Sequence, residues 1–185
     1  MYFLYLLKID DIKSIDSHNM YEVYDRWPQI SRENFSANFS KIDIKNIDHI
    51  VFAGMGGSGT IGDVFASILS KTDIHVSVVK GYLLPKTVDS NTLVVTTSIS
   101  GNTLETITIL KNVEKLNAKF VALFSGGVME KFCVDKKIEY YKIKEVHSPR
   151  ASFVGFLYSA LNILEQIVPV KKTDVSESIE SLFNI

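Results

Sequence analysis

Thr92 to Ser98 reads Thr-Leu-Val-Val-Thr-Thr-Ser, apolar or β-branched almost throughout. Such a run has no polar face to offer water, so it predicts a strand covered on both sides. The turn Ser98-Ile99-Ser100-Gly101-Asn102-Thr103 follows, and then a helical pattern from Thr103 to Leu116. A buried strand passing directly into a helix is half of a parallel βαβ unit. The same punctuation recurs along the chain. Ile47 to Gly54 is a first strand, followed by a glycine-rich turn and a helix through about Leu69. His75 to Lys80 is a second strand, and Gly81 to Asn91, with Pro85, is a loop. Phe120 to Phe124 is a fourth strand, followed by Ser125-Gly126-Gly127 and a short helix around Val128 to Cys133. Glu139 to Lys144 is a fifth strand, and Pro149 to about Val168 is a long apolar helix. The pattern predicts an α/β fold, a five-stranded open parallel sheet with helices on both faces in a three-layer αβα sandwich. Ligands of such sheets bind at the carboxyl ends of the strands, where strand order reverses.

The flanks divide the chain into segments. Residues 1–40 read as a helical segment packing on the domain. In it Met20, Val23, Tyr24, Trp27 and Ile30 recur at helical spacing, and Pro28 should break or bend the run. Its dense aromatics read as core packing, or alternatively as a partner interface. Met1 to Leu7 is apolar but far too short to span a bilayer, and it reads as a packing segment or small edge strand. Residues 41–168 form the sheet domain. The tail 169–185 is more polar, with a helical stretch from Asp174 to Phe183 that has few apolar positions.

Composition removes several functions. A net charge of −1 argues against nucleic acid or an anionic membrane as partner. The single Cys133 forbids an internal disulfide and a cysteine metal site, which fits a reducing, cytoplasmic setting. His18, His49, His75 and His147 show no ligand spacing, so no metal is expected.

The turn Ser98–Thr103 carries chemistry. A helix start offers free N–H groups and a partial positive charge, both of which favour an anion. Ser98, Ser100 and Thr103 add hydroxyl donors, Gly101 lets backbone approach, and the loop holds no lysine or arginine. Neutral donors suit a phosphate ester such as a sugar phosphate. A compatible, plainer reading is a helix cap, with Asn102 as N-cap and Glu105 completing a capping box. Gly54-Met55-Gly56-Gly57-Ser58-Gly59 matches a dinucleotide fingerprint between strand and helix. That fingerprint also wants an acidic residue near the end of the second strand, where Val79-Lys80-Gly81 stands instead. No nucleotide cofactor is therefore expected. Asp63 reads as compensation of a helix dipole.

Three segments together resemble the bifunctional phosphoglucose/phosphomannose isomerases of the sugar isomerase (SIS) domain superfamily. They are Gly54 to Gly59 with Gly62-Asp63, Ser98 to Thr103 with Glu105, and Ser148-Pro149-Arg150-Ala151. The likeness covers roughly residues 47–168 and points to the amino-terminal SIS domain of that family. It implies a flavodoxin-like or Rossmann-like sheet and an intramolecular aldose–ketose isomerase. Glucose 6-phosphate or mannose 6-phosphate would become fructose 6-phosphate through an enediolate, with no cofactor. It implies that Ser98, Ser100 and Thr103 hold the sugar phosphate, that Gly56, Gly57 and Ser58 line the sugar, and that Arg150 stabilises the enediolate. From the residues alone, Arg150 reads either as that group or as a surface salt bridge.

In that family the base, the ring-opening histidine and a lysine come from a second SIS domain. This chain reaches Ile185 about where that domain would begin, so residues 169–185 are read as its start. The chain is then expected as the phosphate-binding half of an isomerase, pairing with a second SIS domain or as a homodimer, and inactive alone. Glu145 and His147, beside Ser148-Pro149-Arg150, are the local candidates for catalytic groups. The alternatives are a single-domain 6-phospho-3-hexuloisomerase and a non-catalytic sugar-phosphate-binding module.

Overall fold

The computed structural model describes residues 8–112 and 115–184. Met1 to Leu7, expected as a packing segment or edge strand, lies outside the described residues. The described elements run α1 (Ile9–Ile15), α2 (Met20–Asp25), α3 (Trp27–Phe35), β1 (His49–Ala53), α4 (Gly57–Leu69), β2 (His75–Val79) and β3 (Thr92–Ser98). They continue with α5 (Leu104–Lys111), β4 (Lys119–Phe124), α6 (Gly127–Lys136), β5 (Glu139–Lys142), α7 (Phe153–Ile163) and α8 (Lys172–Leu182).

The five strands form one sheet in the order β2-β1-β3-β4-β5, and every neighbouring pair is parallel. β1 and β3 are buried along their whole length, as their unbroken apolar runs require. Their side chains alternate between two cores. Ile50 and Phe52 join a cluster with Ile61 and Phe65 of α4 and Phe156 of α7. Val51 and Ala53 join Val94 and Ile109 on the opposite face. On that second face Ile107, Leu110, Phe124, Met129 and Cys133 pack α5 and α6 onto β4. Burial of Cys133 pushes its thiol up to about 11, so it is a core residue rather than a reactive one.

Pro28 does separate two helices: α2 ends at Asp25, and the proline occupies the first turn of α3, where a missing N–H costs nothing. α3 lies against α7. Gly155 leaves room for the approach of Ile30 and Asn34. Asn162 of α7 donates to the carbonyls of Asn34 (3.2 Å) and Ala37 (2.8 Å), closing the carboxyl end of α3. α8 returns to the same core through Val175 and Ile179. Glu165, just past α7, accepts from Lys41 and Lys172, and those bonds hold its carboxyl below the usual range.

Candidate functional site

The chain passes from β1 outward to β2 and then crosses back to β3, so strand order reverses between β1 and β3. A cleft of about 510 Å³ opens at the carboxyl ends of these two strands. Four parts of the chain line it. Met55, Gly57, Ser58 and Thr60 come from the β1–α4 turn, and Ile99, Ser100 and Thr103 from the β3–α5 turn. Pro149, Arg150 and Phe153 come from the entry to α7, and Trp27 from the start of α3.

Both turns place a helix amino terminus at this cleft. In the first, Gly56 adopts φ +54° at the N-cap of α4, a conformation that side chains disfavour. Gly54 and Gly59 have a different reason. A Cβ on Gly54 would lie 2.9 Å from the Thr97 carbonyl oxygen, and one on Gly59 would lie 2.7 Å from the Gly54 carbonyl oxygen. The fingerprint-like spacing therefore serves close backbone packing. Gly57 is different again: a Cβ there would meet only Phe153, at 4.0 Å, so packing does not require a glycine at this point of the cleft wall. Ser58 is buried beside it, and among the described residues its hydroxyl has no partner.

In the second turn, Ser98 is buried and lies behind the cleft wall. Its Oγ sits 2.8 Å from Thr103 Oγ1 and accepts from the Thr103 amide at 3.4 Å. It thus holds Thr103, which faces the cleft together with Ser100. Ser100 Oγ accepts from the Asn102 amide at 3.3 Å, which leaves its own proton free to donate. The expected capping box is not formed. Thr103 is the N-cap of α5, and the Asn102 side chain accepts from the Val128 amide at 3.0 Å while donating to the Ser100 carbonyl. Asn102 ties this turn to the β4–α6 turn instead. The charge of nearby Glu105 raises the Tyr82 phenol above its ordinary range. Asp63 stands in the second turn of α4 and pairs with Lys80 at 2.7 Å, so it is not the expected dipole partner.

Arg150 is exposed on the cleft wall. Among the described residues its guanidinium makes no ion pair or hydrogen bond, so the salt-bridge reading fails. Glu145 and His147 do not line the cleft. Glu145 accepts from Ser125 Oγ at 3.3 Å, and His147 Nε2 lies 3.0 Å from the His18 carbonyl. Gly56 likewise sits at the helix cap rather than on the wall. Among the described residues the lining contains no carboxylate and no imidazole.

Reasoning from the chain alone missed Trp27, Met55, Ile99, Pro149 and Phe153, the apolar part of the wall. Only the aromatic density around Trp27 signalled it. It also treated the histidines as scattered, whereas parallel register sets His49 beside His75 with ring centroids 4.8 Å apart. Even so, the described residues hold no group of three or more side chains suited to a metal ion. No described helix is long and apolar enough to cross a membrane.

A doubly wound parallel sheet with two donor-rich turns meeting at its switch point defines an α/β domain whose ligand edge suits an anion. The SIS domain family matches residues 43–162, and the chain belongs to it. Within that family its relatives are particular. A protein named bifunctional phosphoglucose/phosphomannose isomerase from Caldicellulosiruptor bescii is 34% identical over 133 residues, covering 71% of this chain and 38% of the relative. One of the same name from Thermoplasma acidophilum is 35% identical over 130 residues, covering 70% of this chain and 39% of the relative. The chain therefore spans about two fifths of the length of these relatives. The structure is also similar to tagatose-6-phosphate ketose/aldose isomerase from Escherichia coli, with a TM-score of 0.62 at 16% identity over 87% of this chain and 50% of that one.

Proposed function

We propose that this chain is the phosphate-binding half of a sugar-phosphate isomerase acting on hexose 6-phosphates. The observation that carries the reading is the meeting in one cleft of two helix amino termini, the Ser58 and Ser100 hydroxyls with protons to donate, and an Arg150 that is unpaired among the described residues. Ser100, Thr103 and the first amides of α5 bind the phosphate, with Ser98 holding Thr103 in place. Gly57 and Ser58 lie along the sugar. Arg150 stabilises negative charge as the enediolate forms between C1 and C2. Proton transfer between those carbons needs a base, and the lining has none. We assign that group to a second SIS domain, on the same polypeptide or a second copy, that closes over the cleft. The names of the relatives support glucose 6-phosphate and mannose 6-phosphate as substrates.

Calorimetric titration tests the binding half. Glucose 6-phosphate and mannose 6-phosphate should saturate the cleft, and glucose should not. Ser100→Ala should weaken binding about threefold to tenfold, and Arg150→Ala, which removes a charge-assisted bond, about tenfold to a hundredfold. Equal binding of glucose and its phosphate would overturn the assignment. A second reading, a binding module without turnover, is favoured by the base-free lining. Deuterium uptake at C2, measured with the second SIS domain present, separates the two, because this chain alone binds without turnover under either reading. Uptake that disappears in Arg150→Ala marks the isomerase, and binding without uptake marks the module.

A further inference from the structure

Among the described residues Arg150 has no hydrogen-bond or ion-pair partner, so its aim depends on the backbone that carries it. That backbone is the turn from Val146 to Ser152. From inside, Ser152 Oγ accepts from the Val146 amide at 2.8 Å and lies 2.9 Å from the Ser148 carbonyl. From outside, two tethers come from the amino-terminal segment, one from the α1–α2 turn and one from α3. His147 Nε2 lies against the His18 carbonyl at 3.0 Å. Trp27 donates its indole N–H to the carbonyl of the buried Ala151 at 2.8 Å, one residue after Arg150. The indole is itself set by Tyr24, edge-on with centroids 4.7 Å apart, and its ring forms part of the cleft wall. His18 and Trp27 both precede the span matched by the SIS family, residues 43–162.

We propose that Trp27 is a positioning residue. Through the Ala151 carbonyl it fixes the turn that aims Arg150 into the cleft, so the amino-terminal helices are a working part of the site. The effect on the turn stands by itself, while its consequence for sugar-phosphate binding rests on the function proposed above.

Trp27→Phe keeps an aromatic wall and removes the donor. Amide hydrogen exchange in the ligand-free protein reads the turn directly, because the Val146 and Ser152 amides are hydrogen-bonded. Exchange at these amides should quicken about threefold to tenfold, the weight of one hydrogen bond, while β1 and β3 stay unchanged. An unchanged turn, or equal quickening throughout the sheet, would overturn the proposal. Glucose 6-phosphate titration then completes a double-mutant cycle. Trp27→Phe should weaken binding about threefold to tenfold when Arg150 is present and hardly at all in the Arg150→Ala background. Equal weakening in both backgrounds would mean the indole acts on the ligand itself, against positioning. Failure of the unmodified protein to bind glucose 6-phosphate would sink the functional reading, and the exchange result would still decide the role of Trp27.

Discussion

Arg150 and His49 show how far a single side chain depends on its neighbours. A guanidinium three residues ahead of α7 sits near the positive end of the helix dipole, and no described carboxylate pairs with it. His49 is the converse, an imidazole shut away. It is 5% exposed, hydrogen-bonded to Ser77 Oγ at 2.9 Å, and beside His75. Burial, then the charge of His75, depress its basicity. The unfolded chain, where histidine titrates near about 6.5, takes up the proton first. Stability is therefore complete above that pH and falls as pH drops through it, until the native imidazole is protonated as well. The melting temperature should be lower at about pH 5.5 than at about pH 7.5, and His49→Gln should shrink that difference. A variant with the same pH dependence would remove His49 as the cause. The hydroxyls of the β3–α5 turn were legible as donors from residue type and order, because that chemistry is local, whereas Arg150 stayed open between an anion contact and a salt bridge until its surroundings were known. The pairing of His49 with His75 was not legible, because register alone makes it.

At the level of elements, the two turns on the carboxyl edge are locked together. Gly101, at φ +68°, has the Gly126 carbonyl oxygen where a Cβ would stand, and its own carbonyl accepts from the Met129 amide at 3.0 Å, so the two turns lie in close backbone contact. Gly127 answers it at φ +78°, against the Ser100 carbonyl oxygen. Gly101→Ala should cost about 2–4 kcal/mol, combining a disfavoured backbone with a clash against backbone atoms. Gly81→Ala, at a position with open space, should stay within about 0.5 kcal/mol. Urea unfolding of both variants checks this, and similar losses in the two would show that the interlock does not matter. Strand positions were readable because both faces of β1 and β3 are apolar. Helix starts were less so. Asn102 has the composition of a cap, yet α6 lies close enough for the Val128 amide to take its side chain instead.

Over the whole molecule, one core joins what the chain order separates. Ile30 of α3, Phe156 of α7, and Val175 and Ile179 of α8 share a cluster with Ile50 and Leu93 of the sheet. Amino-terminal helices, sheet and tail helix should thus unfold as one unit. The single tryptophan, Trp27, reports from the amino-terminal end. Its fluorescence transition in denaturant should coincide with loss of far-UV circular dichroism, and an earlier fluorescence change would show the helices detaching first. The sequence by itself determined the α/β class, the parallel sheet and the two donor-rich turns, because burial pattern and turn chemistry are written over a few neighbouring residues. Only the tertiary structure decided that Trp27 and Phe153 wall the cleft, that Ser98 stands behind Thr103, and that Glu145 and His147 stay outside. Those outcomes depend on crossovers and packing between segments far apart in the chain, where local preference carries no information.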